Sequence, residues 1–256
     1  MNIRAENLSV KLDGKEILHN ITIDFKRGIS LLIGGNGSGK STLLKTLAGI
    51  IQATSGKVFM GCSSVDMLPV RELARRCAIL LQNPYASPEM SVEEVVSAGR
   101  FVHGGNNNSN REAVNRALCD AGVESLRSRK IGTLSGGEKR KVFLARALAQ
   151  ESRILLLDEP DAALDAAARD SLRQTLYKLQ KNRQLSIVMA VHDLNFALDI
   201  AAEICGIKAG EILFSGATRD VMTPENFQRL YDIPCRISTN ENGSGEVSIC
   251  YSKLNS

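Results

Sequence analysis

The sequence predicts an α/β fold: a mixed or parallel sheet flanked by helices, with an antiparallel β portion at the N-terminus and an inserted α-helical subdomain. Three observations carry this expectation. Alternating apolar residues near the start read as strands with one buried face. Short continuous apolar runs, "GISLLIG", "RILLLDE" and "QLSIVMAVHD", read as strands buried on both faces. Between about 83 and 150 the strand texture gives way to short amphipathic helical segments.

The elements follow in order. Ile17, Ile21, Ile23 and Phe25 share one alternating face, and His19 falls on it as a neutral, hydrogen-bonded structural histidine. "GISLLIG" is the first buried strand. A glycine loop at 34–39 follows, then a helix from about Lys40 to Ala48 that ends at Gly49, and "GKVFM" is a further strand. Ser91 and Glu94 form a capping box before "VVSAGRF"; "HGGNNNSN" is a polar loop, and "NREAVNRALCDAG" is an amphipathic helix ending at Gly122. Beyond the insertion, strands and helices alternate. "ICGIKAGEILFSG" reads as a hairpin around Ala209-Gly210, and Thr223-Pro224-Glu225 starts a helix with Pro at its first position. From Ser238 the tail is polar and weakly patterned, which divides the chain into a main domain, 1–237, and a tail, 238–256.

Composition narrows the function. A hydrophobic content of 43% supports a sizeable core and argues against global disorder. A net charge of +4 is too mild to argue for nucleic-acid binding, and the absence of Trp argues against base-stacking platforms. Cys62, Cys77, Cys119, Cys205, Cys235 and Cys250 form no C-x-x-C pair and no zinc-like spacing with the histidines, as expected of reduced thiols in a cytosolic protein. "MNIRAENLSV" lacks the apolar core of a signal peptide, and no run approaches the ~18 apolar residues of a membrane span. Work at a membrane would then require recruitment by a partner.

The helix that starts in "TLSGGEKRKVFLARALAQ" poses a question. Val142, Leu144, Ala145, Leu148 and Ala149 give it an apolar face, and Ser135 with Glu138 fits a capping box. Yet Gly136 and Gly137 occupy its first turn, where each glycine costs a helix roughly 0.5–1 kcal/mol relative to Ala. Either the cap tolerates them, or an anion must come close to the free N–H groups of the helix start.

"GGNGSGKS" at 34–41 satisfies G-x-x-x-x-G-K-S/T, with a strand before and a helix after. Gly34, Gly35, Asn36, Gly37, Ser38 and Gly39 let backbone N–H groups wrap a phosphate chain. Lys40 reaches the β- and γ-phosphates, Ser41 offers a hydroxyl to Mg²⁺, and Thr42 completes the motif. This points to a P-loop NTPase core. Such a loop needs a carboxylate on a neighbouring strand, which "ILLLDE" supplies: Asp158 for the metal and Glu159 as general base. "CAILLQ" ends in Gln82, able to reach a metal and a water, and "SIVMAVH" ends in His192, able to contact the γ-phosphate.

Taken together, "GGNGSGKST", Gln82, "LSGGE", "ILLLDEP", "DAALD" and His192 resemble, in that order, the ATP-binding cassette family over about residues 1–235. The resemblance implies that "LSGG" is the signature motif and that the chain acts as a homodimer. ATP on the P-loop of one subunit would be sandwiched against Ser135, Gly136, Gly137 and Glu138 of the other, with Asp165 coupling the two sites. Three positions depart from the family pattern: Leu12 where an aromatic usually stacks on adenine, Gly35 in place of Pro, and Asp161 in place of Thr or Ser. "VHDLNFALDIAAE", "GEILFSGATRDVMTPENFQRLYDI" and "VRELARRCAILLQN" are similar to the ATPases of importers for iron–siderophore complexes, haem and vitamin B12. That implies membrane permease subunits docking near 83–103, a substrate-binding protein in the complete system, no nucleic-acid partner, and a peripheral position on the cytoplasmic face of the cell membrane. The alternatives are a soluble cassette ATPase of nucleic-acid repair or translation, a transporter ATPase for another cargo, and a regulatory nucleotide-binding module without turnover.

Overall fold

A computed structural model describes residues 1–104, 108–162, 164–191, 194–196, 198, 200–239 and 245–249. Strands β1 (Ile3–Leu12) and β2 (Lys15–Phe25) pair antiparallel, and β4 (Ser55–Met60) and β5 (Ser63–Ser64) extend them into a sheet of order β2-β1-β4-β5. β3 (Gly28–Ile33) belongs to a second, six-stranded sheet with β6 (Cys77–Leu80), β7 (Ile154–Asp158), β8 (Ser186–Ala190), β9 (Glu203–Lys208) and β10 (Glu211–Ala217). Its order is β10-β9-β3-β8-β7-β6; only β10 runs antiparallel to its neighbour. Helix α1 (Lys40–Leu47) follows β3, and α2 (Val70–Arg76) leads into β6. Between β6 and β7 lie α3 (Val92–Ser97), α4 (Asn108–Asp120) and α5 (Gly136–Ala149), the helical insertion anticipated from the sequence. α6 (Ala166–Arg183) connects β7 to β8, and α7 (Thr218–Val221) and α8 (Pro224–Tyr231) follow β10.

Two apolar cores sandwich the six-stranded sheet. Ile154, Leu156, Val188 and Leu32 face the antiparallel sheet and Leu43, Leu44 and Leu47 of α1. Leu155, Leu157, Ile187 and Leu31 face the helices, where Leu144, Leu148, Leu172 and Leu176 meet them. Strands covered on both sides read as unbroken apolar runs because successive side chains enter different cores. The apolar face expected for α5 is buried in full.

Local signals resolve as expected in several places. Ser91 and Glu94 form a reciprocal capping box on α3, and Thr223 caps α8 ahead of Pro224. The β9–β10 turn has positive φ at Ala209 (48°) and Gly210 (79°), the type I′ pattern of a two-residue hairpin.

The phase of β2 differs from the expectation. Ile21, Ile23 and Phe25 are buried, but Leu18 rather than Ile17 continues their face. A register irregularity between Val10/Leu18 and Leu8/Ile21, with Asn20 at φ 48°, inserts an extra residue and reverses the alternation. His19 is therefore part-exposed, with Nδ1 3.7 Å from Glu16 Oε1, and is not a core histidine. The tail also begins with more structure than its pattern suggested: β11 (Cys235–Thr239) pairs antiparallel with β12 (Gly245–Ile249). The five cysteines among the described residues are free, and Cys250 lies outside them.

The insertion is anchored where Gly99 passes α5. A Cβ there would lie 2.2 Å from the Arg146 carbonyl oxygen and 3.2 Å from Ala149 Cβ. Arg100, buried beside it, donates to the Ala149 carbonyl at 2.7 Å and to Asn110 Oδ1 at 2.9 Å. Gly99→Ala is therefore expected to destabilise the protein by about 1–3 kcal/mol, the usual scale of overpacking. Urea unfolding checks this, and an unchanged midpoint would mean that α5 can retreat without penalty.

Candidate active site

The loop after β3 is held by three elements. Gly34 has φ 154°, and a Cβ there would lie 2.1 Å from the Ile207 carbonyl oxygen of β9. At the β9–β10 turn, the Gly210 N–H donates to the Ser38 carbonyl at 3.0 Å, and the Gly210 carbonyl accepts from the His19 N–H at 2.9 Å. Tyr231, at the end of α8, sits beside the Gly34 N–H; burial pushes its phenol up to about 12, and that N–H opposes the rise. Gly37 (φ 73°) and Gly39 (φ 107°) complete the curl, and Gly39 is the N-cap of α1. Asn36, Ser38, Ser41 and Thr42 line the groove above, which has a volume of about 460 Å³ and is closed on other sides by Lys15, Ile17, Gln82 and Glu159.

Lys40 is buried and donates to the carbonyls of Gly34 (2.8 Å) and Gly35 (3.0 Å). Burial draws its ammonium below the usual lysine range, and Glu159 and Asp158 pull the other way. Asp158 ends β7 at 1% exposure. Its Oδ1 accepts from Ser41 Oγ at 2.8 Å, while Oδ2 is buried without a hydrogen-bond partner among the described residues. Burial raises this carboxyl above the usual range, and the Ser41 bond opposes the rise. An orphaned carboxylate oxygen beside a serine hydroxyl is a hard-oxygen donor set suited to a small divalent cation. Among the described residues no cluster of three or more His, Cys, Asp or Glu could hold a metal alone. Any cation here would take its remaining ligands from a bound phosphate chain and water.

Glu159 points elsewhere because its backbone turns. It adopts φ 49°, its N–H donates to the Ala190 carbonyl at 3.0 Å, and its Oε2 accepts from Gln82 Nε2 at 2.7 Å. The structure thus brings together Gly34 to Thr42, Gln82, Asp158 and Glu159. His192 lies outside the described residues. Arg140, on α5, is a participant that sequence reasoning missed. It donates to the main-chain carbonyls of Gln82 (2.6 Å) and Glu159 (2.7 Å). On an amphipathic helix its neighbours Lys139 and Lys141 look equivalent, so spacing gave no signal. Tyr231 was missed for a similar reason, since its partner lies at the opposite end of the chain.

Residues 135–138 are not among the walls of this groove. Ser135 caps α5 by accepting from the Glu138 N–H (3.3 Å), and Glu138 accepts from the Ser135 N–H (2.8 Å). These bonds lower the Glu138 carboxyl below its ordinary value. A Cβ on Gly136 would meet nothing within 4 Å, and one on Gly137 only Leu164 Cδ2 at 3.5 Å. The capping box is real, but nothing among the described residues requires glycine at 136. Asp165 is exposed and is the N-cap of α6, accepting from the Ala168 N–H at 2.7 Å.

The sequence model of the family described as "ABC transporter" matches residues 18–162, more than half of the chain. The chain belongs to the ABC transporter family. It is similar to the iron(3+)-hydroxamate import ATP-binding protein of Bacillus subtilis (strain 168), with 34% identity over 98% of this chain and 95% of that one. The hemin import ATP-binding protein of Escherichia coli O157:H7 is 35% identical over 90% of this chain and 91% of its own length. Among solved structures, a metal-chelate type ABC transporter in an inward-facing conformation aligns with a TM-score of 0.83 at 26% identity, covering 97% of each chain. A dimeric ATP-binding cassette in a post-hydrolysis state, bound to ADP and Pi, aligns with a TM-score of 0.75 at 27% identity, over 85% of this chain and 99% of that one. Like other ABC ATPases, this chain binds and hydrolyses ATP.

The two opening glycines of the cassette's loop differ in what they must satisfy. Gly34 is wedged against β9 in a conformation that L-residues avoid, whereas a Cβ on Gly35 meets nothing within 4 Å. Gly34→Ala is expected to weaken ATP binding by about 5- to 150-fold, equivalent to 1–3 kcal/mol of backbone strain. Gly35→Ala should leave affinity unchanged. Calorimetric titration of both variants with ATP measures this, and equal affinities would contradict the wedge.

Proposed function

We propose that this chain is the ATP-hydrolysing, nucleotide-binding subunit of a membrane ABC importer, with an iron–siderophore, haem or cobalamin complex as cargo. The observation that carries the catalytic part is the convergence of Ser41–Asp158 and Gln82–Glu159 on the groove over the glycine loop. The cargo class rests on the relatives, whose names specify import or transport of ferric hydroxamate, ferric enterobactin, hemin and cobalamin.

In this reading the loop N–H groups and Lys40 bind the β- and γ-phosphates of ATP, and Ile17 gives the base apolar cover that Leu12 cannot give by stacking. Ser41 and Asp158, with Gln82 beside them, hold Mg²⁺; the orphaned Asp158 Oδ2 fits that role. The cation supplies charge neutralisation on the phosphate chain. Glu159 accepts a proton from a water as the water oxygen bonds to the γ-phosphorus and the bond to the β–γ bridging oxygen breaks, leaving ADP and phosphate. Gln82 orients Glu159 through their hydrogen bond, and His192 contacts the γ-phosphate.

Two subunits close around ATP, each offering Ser135, Gly136, Gly137 and Glu138 to the other's nucleotide, with Asp165 coupling the sites. The absence, among the described residues, of any demand for glycine at 136 supports a demand from a second subunit. The permease docks at the cleft of about 780 Å³ between α2 and the insertion, where Val70 and Phe101 are 82% and 87% exposed. No helix among the described residues is long and apolar enough to cross a membrane. In this reading the subunit attaches to the cytoplasmic face through that permease. The complete importer includes a substrate-binding protein, and nucleic acid has no part in its work.

Glu159→Gln should retain ATP binding but slow phosphate release by at least ~10²-fold, the scale of a general base. The trapped ATP should hold a dimer visible by size-exclusion chromatography. Adding Gly136→Ala to that background should abolish the dimer while each monomer still binds ATP. Near-normal phosphate release from the single variant rejects Glu159 as the base. An equally stable dimer in the double variant rejects the role of Gly136 across the interface.

A further inference from the structure

We infer that Arg140 is a positioning residue for the hydrolytic loops: it fixes the Gln82 and Glu159 backbones to α5 and so couples the glycine-rich helix start to the catalytic centre of its own subunit. The inference rests on the reading of Gln82 and Glu159 as hydrolytic residues. Its basis is a closed set of hydrogen bonds. The guanidinium donates through Nη1 to the Gln82 carbonyl at 2.6 Å and through Nη2 to the Glu159 carbonyl at 2.7 Å. The side chains of the same two residues join at 2.7 Å through Gln82 Nε2 and Glu159 Oε2. Three residues from three elements thus form one ring.

Each part of that ring needs holding. Gln82 lies in an exposed loop beyond the end of β6, and Glu159 sits at φ 49°, a region that non-glycine residues adopt only when their surroundings enforce it. The Glu159 N–H is fixed by Ala190 and its carbonyl by Arg140, with the Ala162 N–H as a weaker second donor at 3.2 Å. Releasing the carbonyl removes a restraint that holds Glu159 at its positive φ, and a change of φ re-aims its side chain. The half-buried guanidinium also faces Asp161, Glu159 and Asp158, so its charge balances a cluster of carboxylates. Arg140 is five residues beyond Ser135, on the same rigid helix. Any shift of the helix start on meeting a second subunit's nucleotide therefore moves the Arg140 fork and both carbonyls. A planar fork reaching two acceptors is a geometry that Lys does not reproduce.

The test uses full-length Arg140→Lys and Arg140→Met, each alone and combined with Glu159→Gln or Gln82→Ala. Steady-state phosphate release gives kcat and KM for ATP, and thermal melting monitors the fold. Because Arg140 does not line the groove, KM should stay within about twofold, while kcat falls by about 10- to 100-fold, the scale of a misplaced reacting group. Arg140→Lys, which restores charge but not the fork, should recover little of the loss. In the Glu159→Gln or Gln82→Ala background the Arg140 substitutions should cost far less than in the wild type. Wild-type kcat in both Arg140 variants, or losses that multiply fully in both backgrounds, overturns the inference. So does a KM that rises in step with a falling melting temperature, the mark of a merely structural residue. A Glu159→Gln protein with normal turnover would instead reject the general-base reading, and the Gln82→Ala cycle would then decide whether Arg140 positions the Gln82 loop.

Discussion

Parallel pairing of β3, β8, β7 and β6 is the constraint on which the site depends. The registers run in rows across the sheet: Ile29, Ile187, Leu155 and Ala78 in one, Leu31, Met189, Leu157 and Leu80 in another. In the next row Leu32 and Ala190 stand level with Asp158. Just beyond that row lie the glycine loop, which starts at Gly34 after Ile33, and Glu159, while Gln82 follows the end of β6. Parallel strands must all end on the same edge, so three separate stretches of sequence deliver their polar residues to one place. The apolar runs before them supply the force that holds the rows in register, because a slip of one residue would exchange the two cores.

This arrangement explains what could be read without coordinates. The glycine loop, Asp158, Glu159 and Gln82 were legible because each ends or follows a largely buried apolar strand, and the residues at a strand's end are local to its own sequence. The capping boxes at Ser91 and Ser135 and the Ala209-Gly210 hairpin were legible for the same reason. Contacts between elements were not. Arg140 reads as one more cation on a helix, and Tyr231 reaches Gly34 from the far end of the chain. The phase error in β2 had a different origin. Strict alternation cannot anticipate an extra residue, and the irregularity at Asn20 moved Leu18 into the core while Ile17 came to line the groove.

Burial at the sheet edge places opposite charges in tension. Asp158 and Lys40 are both almost inaccessible, and burial disfavours the charged form of each. Lys40 is stabilised by loop carbonyls and Asp158 by Ser41, which leaves Asp158 Oδ2 unsatisfied. On the proposed reading a phosphate chain would bring negative charge to Lys40, and a divalent cation would bring positive charge to Asp158. The two ligands would then complement penalties already present in the fold, turning part of the cost of burial into affinity for the nucleotide–metal pair.

The glycines separate constraints that arise inside the chain from those that arise outside it. At 34 and 39 a Cβ would press on Ile207 or Leu18, and both residues have positive φ. Those positions favour glycine because of the loop's own conformation and packing. Gly136 has ordinary helical geometry and open space around it, and Ala is the better helix former there. On the proposed reading a residue that lowers helix stability without serving a contact among the described residues answers to another molecule. The first-turn N–H groups of α5 have no intrahelical acceptors, and the helix dipole favours an anionic partner there. Glycine would then set how closely that anion can come, and the distance would control how strongly the helix start attracts it.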